Sequence, residues 1–363
     1  MGETGVTTLM IAGGGTGGHI YPAVAIAREF VSRDAARRVV FVGTQHGLEK
    51  TIVPKAGFTL EFIDAGGLKG KGAADLVRNL LRLPFGFLQA WRLVGKHEPD
   101  VVLGVGGYSS GPVLAAARLR GVPTIIHEAN AFPGVANRVL ARVVTKVLVA
   151  FADAAPRLKR KDAIVTGNPI RAEFFNVNRQ PATDNRQRLL IFGGSQGSRV
   201  INNVMSEALL FLAHLKDRLA IVHQTGPADL ERVRGAYQAS TFSNARVVPY
   251  IDPMVDEIAA ADLVVCRSGA MTVGELAAAG RAAIFIPFAA ATNNHQELNA
   301  RVVEKAGGGV VITEAELTPE RLAAAIGGVV SDPARARRMG EAAHALATPE
   351  ATKRIVDTIE EII

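Results

Sequence analysis

Thr8-Leu9-Met10-Ile11-Ala12-Gly13-Gly14-Gly15-Thr16-Gly17-Gly18-His19 decides the reading of this chain. A short apolar run fit for a buried strand ends in a cluster of glycines. Pro22–Ser32 follows with apolar residues at helical spacing. Strand, glycine turn and helix in that order open a parallel, doubly wound sheet. The pattern recurs twice. Val101-Val102-Leu103 runs into Gly104-Val105-Gly106-Gly107-Tyr108-Ser109-Ser110-Gly111, and Leu189-Leu190-Ile191-Phe192 into Gly193-Gly194-Ser195-Gln196-Gly197-Ser198. Glycine lets the backbone approach a bulky anion, and the helix behind the turn aims free N–H groups at it. Three such turns predict a protein that handles diphosphates on more than one side.

Outward from these turns, short Val- and Ile-rich strands alternate with helices. Strands are expected at Thr8–Ala12, Val39–Val42, Val101–Leu103, Thr124–His127 and Lys146–Val149, with helices at Pro22–Ser32, Gly111–Leu119 and Pro133–Ala141. After about residue 185 the pattern restarts, with strands at Arg188–Phe192, Ala220–Gln224, Arg246–Pro249, Leu263–Cys266 and Ala283–Ile286. Helices are expected there at Gly197–Ala213, Pro227–Gln238, Met254–Ala260 and Met271–Ala279. Such alternation implies α/β architecture with covered parallel sheets, and the restart implies two Rossmann-like domains. The polar stretch Arg179–Arg188 is the expected linker, or a loop just beyond it. Near the end, Ile355, Val356, Ile359, Ile362 and Ile363 form an apolar stripe. It belongs either to a terminal helix of the second domain or to one that crosses back to the first.

Composition narrows the class. The chain has 363 residues, enough for two cored domains. No apolar run reaches the roughly 18 residues of a membrane span. Met1–Thr8 has no basic segment followed by an apolar one, so no signal peptide is expected. Cys266 is the only cysteine, which excludes an internal disulfide and a multi-cysteine zinc site. A cytoplasmic location is the default expectation. Charge is uneven: residues 1–171 hold 22 Lys and Arg against 12 Asp and Glu, and residues 172–363 hold 19 against 22. A basic half predicts contact with an anionic surface. With 4 Tyr, 1 Trp and no nucleic-acid-binding module, nucleic acid is not the expected partner.

Several constellations carry candidate chemistry. The first glycine run accommodates Gly-x-Gly-x-x-Gly, but Gly43-Thr44-Gln45 stands where an acidic residue would hold an NAD ribose, which argues against hydride transfer. His19 follows at a helix N-terminus, which disfavours imidazolium, so it is either a neutral base or a capping, phosphate-contacting histidine. His127-Glu128-Ala129-Asn130-Ala131-Phe132-Pro133-Gly134 ends a strand, where polar groups face a binding crevice; Asn130 alternatively caps the next helix. In Cys266–Glu275 a Ser268-Gly269 turn precedes a helix. Phosphate fits its first N–H groups near the Ser268 or Thr272 hydroxyl, and Glu275 can accept both hydroxyls of a ribose or sit on a solvated face. The run Pro287–Ala300 gathers amides with His295 and Gln296; these suit sugar hydroxyls or a helix cap. Within Lys69–Val94, Leu76, Leu80, Leu83, Phe87, Trp91 and Val94 share a helical face broken at Pro84, with Phe85 at the break and Lys69, Lys71, Arg78, Arg82 and Arg92 alongside. This is either a surface that enters a lipid headgroup layer or a core-facing helix with a basic outer side. No Asp-x-Asp pair or metal-ligand spacing is present, so neither a metal nor another cofactor is expected, and helix N-termini and amides are expected to meet diphosphate charge.

Gly13–His19, Gly104–Gly111, His127–Gly134, Gly167-Asn168-Pro169-Ile170-Arg171, Gly193–Ser198 and Cys266–Glu275 together, in order and spacing, resemble the MurG family of bacterial peptidoglycan glycosyltransferases, within glycosyltransferase family 28. The resemblance covers nearly the whole chain. It implies a GT-B fold, two Rossmann-like domains facing across a deep cleft, with residues 1–171 and 347–363 as the acceptor- and membrane-facing domain and 172–346 as the UDP-sugar domain. It implies inverting transfer of N-acetylglucosamine from UDP-N-acetylglucosamine to the C4 hydroxyl of undecaprenyl-diphospho-N-acetylmuramoyl-pentapeptide (lipid I), giving lipid II and UDP. The implied place is the cytoplasmic face of the inner membrane, peripherally bound to its anionic surface, with other cell-wall synthesis proteins as further partners. By position, Thr16, Gly17 and Gly18 would contact the donor, Asn130 the sugar, and Arg171 and Ser195 the diphosphate. Ile251 would meet uracil through its backbone. Ala270, Met271, Thr272, Val273, Gly274 and Glu275 would hold the nucleotide, and His295 or Gln296 the sugar hydroxyls. His19 is the candidate base. Leu76, Leu80, Phe85, Trp91, Arg78 and Arg82 would meet the membrane. The competing readings are another GT-B enzyme, such as a glycolipid synthase or a sugar-nucleotide epimerase, and a non-catalytic membrane sensor of UDP-sugars.

Overall fold

The structure, a computed structural model, describes residues 6–15, 17–66, 73–177 and 186–363, with backbone alone at 73–83. The chain forms two compact units, Met1–Ile170 with Glu350–Ile363, and Arg171–Pro349. Thr16 and most of the expected linker lie outside the described residues.

Among the described residues the first unit is built on a seven-stranded parallel sheet. Its strands are β1 (Thr8–Gly13), β2 (Arg38–Gly43), β3 (Thr59–Phe62), β4 (Val101–Gly106), β5 (Thr124–Glu128), β6 (Lys146–Val149) and β7 (Ile164–Val165), in the spatial order β3-β2-β1-β4-β5-β6-β7. Its helices are α1 (Gly17–Ser32), α2 (Glu49–Lys55), α3 (Ala73–His97), α4 (Ser110–Leu119), α5 (Val135–Leu140) and α6 (Ala155–Leu158). β1 is buried along its length because successive side chains serve opposite faces. Leu9 and Ile11 pack with Ile20, Phe30 and Ile26 of α1. Met10 and Ala12 pack with Ala90, Val94, Val113 and Ala116 of α3 and α4.

The second unit repeats the plan with β8 (Gln187–Phe192), β9 (Leu219–Gln224), β10 (Arg246–Val248), β11 (Leu263–Cys266), β12 (Ala282–Phe285) and β13 (Gly309–Val311), ordered β10-β9-β8-β11-β12-β13 and parallel throughout. Its helices are α7 (Arg199–Leu212), α8 (Leu230–Gln238), α9 (Met254–Ala260), α10 (Ala270–Ala278), α11 (His295–Lys305), α12 (Pro319–Val330) and α13 (Pro333–His344). The final helix, α14 (Ala351–Glu360), packs on α1 in the first unit, where Ile355, Val356 and Ile359 are fully buried. Arg33, just past the end of α1, donates to Asp357 and Glu360, each at 2.7 Å, and Arg37 to Glu360 at 2.6 Å.

In each sheet the strand order reverses direction once, between β1 and β4 and between β8 and β11. Ligands of open α/β sheets bind beyond the carboxyl ends of strands at that reversal. The three glycine turns and the Cys266–Glu275 run all stand at these two points.

Helices α1 and α3 differ from the sequence expectation at a proline. α1 begins at Gly17, five residues before Pro22. The proline forfeits one hydrogen bond in the second turn, while the extension buries Ile20 completely. α3 runs unbroken through Pro84. Two residues on, Gly86 lies against the Asp64 carbonyl, where a Cβ would stand at 2.4 Å.

Candidate active site

In the first unit, the β1–α1 and β4–α4 turns interlock. Gly106 and Gly107 have φ of +99° and +86°. A Cβ on Gly107 would lie 2.5 Å from the Gly14 carbonyl oxygen, and one on Gly106 would lie 3.0 Å from Nε2 of His19. Ser110 Oγ sits 2.8 Å from the Ala12 carbonyl and 2.9 Å from that of Gly106. These glycines of the second turn are therefore required by the close approach of the first loop. Gly17 and Gly18 start α1, and His19 stands third in it. His19 Nδ1 is 3.1 Å from the Gly14 carbonyl. A carbonyl only accepts, so the contact assigns the proton to Nδ1 and leaves the Nε2 lone pair as the ring's basic site. Among the described residues Nε2 has no hydrogen-bond partner.

His127 is buried on β5 and donates through Nε2 to the Gly167 carbonyl at 3.0 Å; burial pushes its pKa down and keeps it neutral. Glu128 organises the loop behind it. Its carboxylate accepts from the Asn130 backbone and side-chain amides, from Gly134 N–H and from Asn137 Nδ2, all within 3.1 Å. Asn130 is thus oriented by Glu128, and the α5 cap is Gly134. Asn168 Nδ2 reaches the Ala129 carbonyl at 3.0 Å and ties the Gly167–Ile170 run to the same loop.

In the second unit, the third turn is closed by glycines at Gly194 (φ +97°) and Gly197 (φ +74°). Ser195 is exposed at its tip. Gln224, at the end of β9, donates to the Gly194 carbonyl at 2.9 Å and accepts from Ile251 N–H at 2.8 Å. Ile251 therefore has its carbonyl, an acceptor suited to the N3–H of a uracil. α10 starts after Gly269 without a side-chain cap, so the N–H groups of Ala270, Met271 and Thr272 are the unsatisfied donors of that helix end. Met271 and Val273 are buried, Thr272 and Gly274 half-buried.

Ser268 does not turn its hydroxyl to that end. It donates to the Gln296 carbonyl at 2.8 Å. Gln296 Oε1 also accepts from Phe288 N–H at 3.1 Å, while His295 Nδ1 is held by the Thr292 carbonyl at 2.8 Å. Glu275 lies one turn inside α10, with its Oε1 3.1 Å from Arg171 Nη2. Burial pushes its pKa up, and the Arg171 guanidinium opposes that shift. Arg171 also pairs with Glu173 at 2.9 Å and covers the Phe174 ring at 4.7 Å.

The remaining expected residues divide. Phe85 and the nearby Leu88 are exposed. Trp91 is partly buried: it packs against the first unit's core beside Phe87, with the Arg120 guanidinium 4.2 Å above its ring. The side chains of Leu76, Arg78, Leu80 and Arg82 lie outside the described residues. Sequence reasoning missed Glu49, Gln224, Arg267 and Asn299. Arg267 binds Ser198 Oγ at 2.8 Å and Glu314 at 2.6 Å, and buried Asn299 donates to the Ser268 carbonyl at 3.2 Å. It also missed Val135, Val139 and Val143, exposed at four-residue spacing on and beyond α5. That spacing was readable as a helical stripe.

The glycosyltransferase family 28 N-terminal domain matches residues 9–149, and its C-terminal domain matches residues 188–357. A UDP-N-acetylglucosamine–N-acetylmuramyl-(pentapeptide) pyrophosphoryl-undecaprenol N-acetylglucosamine transferase of Myxococcus xanthus is 46% identical, over 98% of this chain and 93% of its own. The enzyme of that name from Geobacter sulfurreducens is 44% identical over 96% and 97%. The crystal structure of Acinetobacter baumannii MurG superposes with a TM-score of 0.80 at 30% identity, covering 98% and 99% of the two chains. The parallel sheets with their switch-point loops have the GT-B architecture of that neighbour. With both family domains matched in order and each carrying its own switch-point site, the chain belongs to glycosyltransferase family 28.

Proposed function

We infer that this protein transfers N-acetylglucosamine from UDP-N-acetylglucosamine to the C4 hydroxyl of the N-acetylmuramoyl-pentapeptide of lipid I, releasing lipid II and UDP. The observation that carries the reading is the full-length identity to transferases of that name, spanning both units and their sites. Inverting transfer forms a bond from the acceptor oxygen to the anomeric carbon while the bond from that carbon to the diphosphate breaks on the opposite side. His19 Nε2 takes the hydroxyl proton as general base, a role worth about 10²–10⁴-fold in rate. The electron pair leaves on the diphosphate of UDP, whose charge is met by the α10 N–H groups, the Gly194–Ser195 turn and Arg171.

Donor recognition belongs to the second unit in this reading. The Ile251 carbonyl takes uracil, and Glu275 takes the ribose hydroxyls on Oε2 while Arg171 holds Oε1. Gln296, with His295 beside it, takes the sugar hydroxyls. In the first unit the proposed donor contacts are Gly17, Gly18 and Asn130, with the neighbouring Thr16 outside the described residues. The first unit also takes the lipid-linked acceptor. Among the described residues no helix is long and apolar enough to cross a membrane. Peripheral attachment to the anionic cytoplasmic leaflet fits exposed Phe85 and Leu88 and the basic first half of the chain.

The test is transfer of radiolabelled N-acetylglucosamine to a short-chain lipid I analogue. Labelled disaccharide-lipid is the expected product. UDP-N-acetylglucosamine bound without any transfer, with or without added Mg²⁺, would overturn the reading in favour of another acceptor or a sensor.

A further inference from the structure

Glu49 is fully buried at the start of α2, and among the described residues no cation pairs with it. Its compensation comes from neutral donors. Oε1 accepts from Thr44 N–H and lies 2.9 Å from Thr44 Oγ1, while Oε2 accepts from Gly15 N–H at 2.8 Å. The surrounding backbone leaves room for this carboxylate alone. A Cβ on Gly14, Gly43 or Gly47 would lie within 2.6 Å of Glu49 atoms. An isolated buried carboxylate is costly, so a chain that keeps one beside its glycine loop gains something specific from it.

The Gly15 N–H and the Gly14 carbonyl are two ends of one peptide group. Glu49 holds the first end, and the second accepts from Nδ1 of His19 at 3.1 Å. We propose that Glu49 is a positioning residue that acts on His19 through the Gly14–Gly15 peptide, fixing the Nδ1–H tautomer and strengthening Nε2 as a base. A carboxylate at the N–H end polarises the peptide and enriches its carbonyl oxygen, as chains of hydrogen bonds do. That oxygen then anchors Nδ1–H and stabilises the imidazolium as the acceptor proton arrives. The arrangement resembles a carboxylate–histidine dyad with a peptide group inserted between the partners. Ser110, also bonded to these turns, is neutral and sits on the Ala12 and Gly106 carbonyls.

The proposal rests on His19 as the base, and His19→Asn tests that reading by itself: near-normal turnover would remove His19 and leave Glu49 nothing to position. Two further measurements test Glu49. In wild-type protein, ¹⁵N-edited NMR of His19, assigned by its loss in His19→Asn, is expected to show a dominant Nδ1–H tautomer; a dominant Nε2–H tautomer overturns the proposal. In Glu49→Gln the negative charge is gone at nearly constant shape. Its kcat plateau is expected to fall about 10- to 100-fold, within the range of general-base effects. Its acidic limb should move to lower pH, because the imidazolium has lost a stabilising anion. UDP-N-acetylglucosamine affinity should stay within about twofold. A fall in kcat with the limb unmoved would mark Glu49 as a structural support only, and an unchanged kcat would refute it outright. If Glu49→Gln does not fold, the tautomer measurement decides alone.

Discussion

Burial acts in opposite directions on Glu275 and His223, and both results are measurable. Glu275 is held toward its neutral form by burial and pulled back by Arg171. As a ribose acceptor it makes hydrogen bonds to a charged group, worth about 1.5–3 kcal/mol each. Glu275→Gln should therefore raise KM for UDP-N-acetylglucosamine about tenfold or more while kcat falls much less; steady-state kinetics with the acceptor saturating gives both. His223 is buried with its Nδ1 against Tyr237 Oη and its Nε2 against Asn202 Oδ1, each at 3.1 Å, and desolvation pushes its pKa down to about 3. In the unfolded chain a histidine titrates near 6.5, so between those values the unfolded state binds the extra proton. Stability is full above about pH 6.5 and falls as pH drops, by about 1.4 kcal/mol per unit for a fully effective group. Urea midpoints at pH 7.5 and 5.5 should separate in wild type and separate less in His223→Gln, where buried His127 still contributes. At this scale the sequence marked His19, Asn130 and Glu275 as candidates because each lies beside a glycine or proline turn near a strand end. Glu49 and Gln224 were hidden. Their partners are backbone groups 34 and 27 residues distant, and no local pattern marks such a contact.

Helices α1 and α3 show how tertiary packing overrides a local breaker. Proline disfavours helix only by one lost hydrogen bond and a ring contact, and burial of Ile20 in α1 and of Ala90 and Val94 in α3 outweighs it. The strands beside the glycine turns were legible because their Val and Ile runs are buried on both faces. β3, β7 and β13 were not, since each is a short edge or near-edge strand of two to four residues. Periodicity along α3 gave its amphipathic face but not which aromatic ring points inward. That split predicts a separation of phenotypes. Phe85→Ser with Leu88→Ser should weaken binding to anionic vesicles several-fold and leave thermal stability nearly unchanged. Trp91→Ala should lower stability by about 2–4 kcal/mol, the cost of emptying a packed aromatic site. Vesicle co-sedimentation and urea unfolding of the two variants distinguish the roles.

At the level of the molecule, the repetition of strand, turn and helix was enough to show a doubled α/β plan, because the same periodicity begins afresh with the strand that leads into the third glycine turn. The residues alone left the last helix's place open, and the family resemblance gave residues 347–363 to the first domain; its stripe of isoleucines states that it must be covered, and Phe30 of α1, with Arg33 and Arg37 beyond that helix, meets it. Truncation after residue 349 would strip Ile355, Val356 and Ile359 from the first unit's core. Calorimetry of that variant should show the first unit's transition lowered by tens of degrees or lost, with the second unit's transition in place. The same helix sets an order of events during synthesis. The ribosome makes the first unit's sheet early, then every residue of the second unit, and only afterwards the segment that seals the first. The domain begun first is thus the last to be finished, and its unsealed flank on α1 stays exposed for as long as the second is being translated.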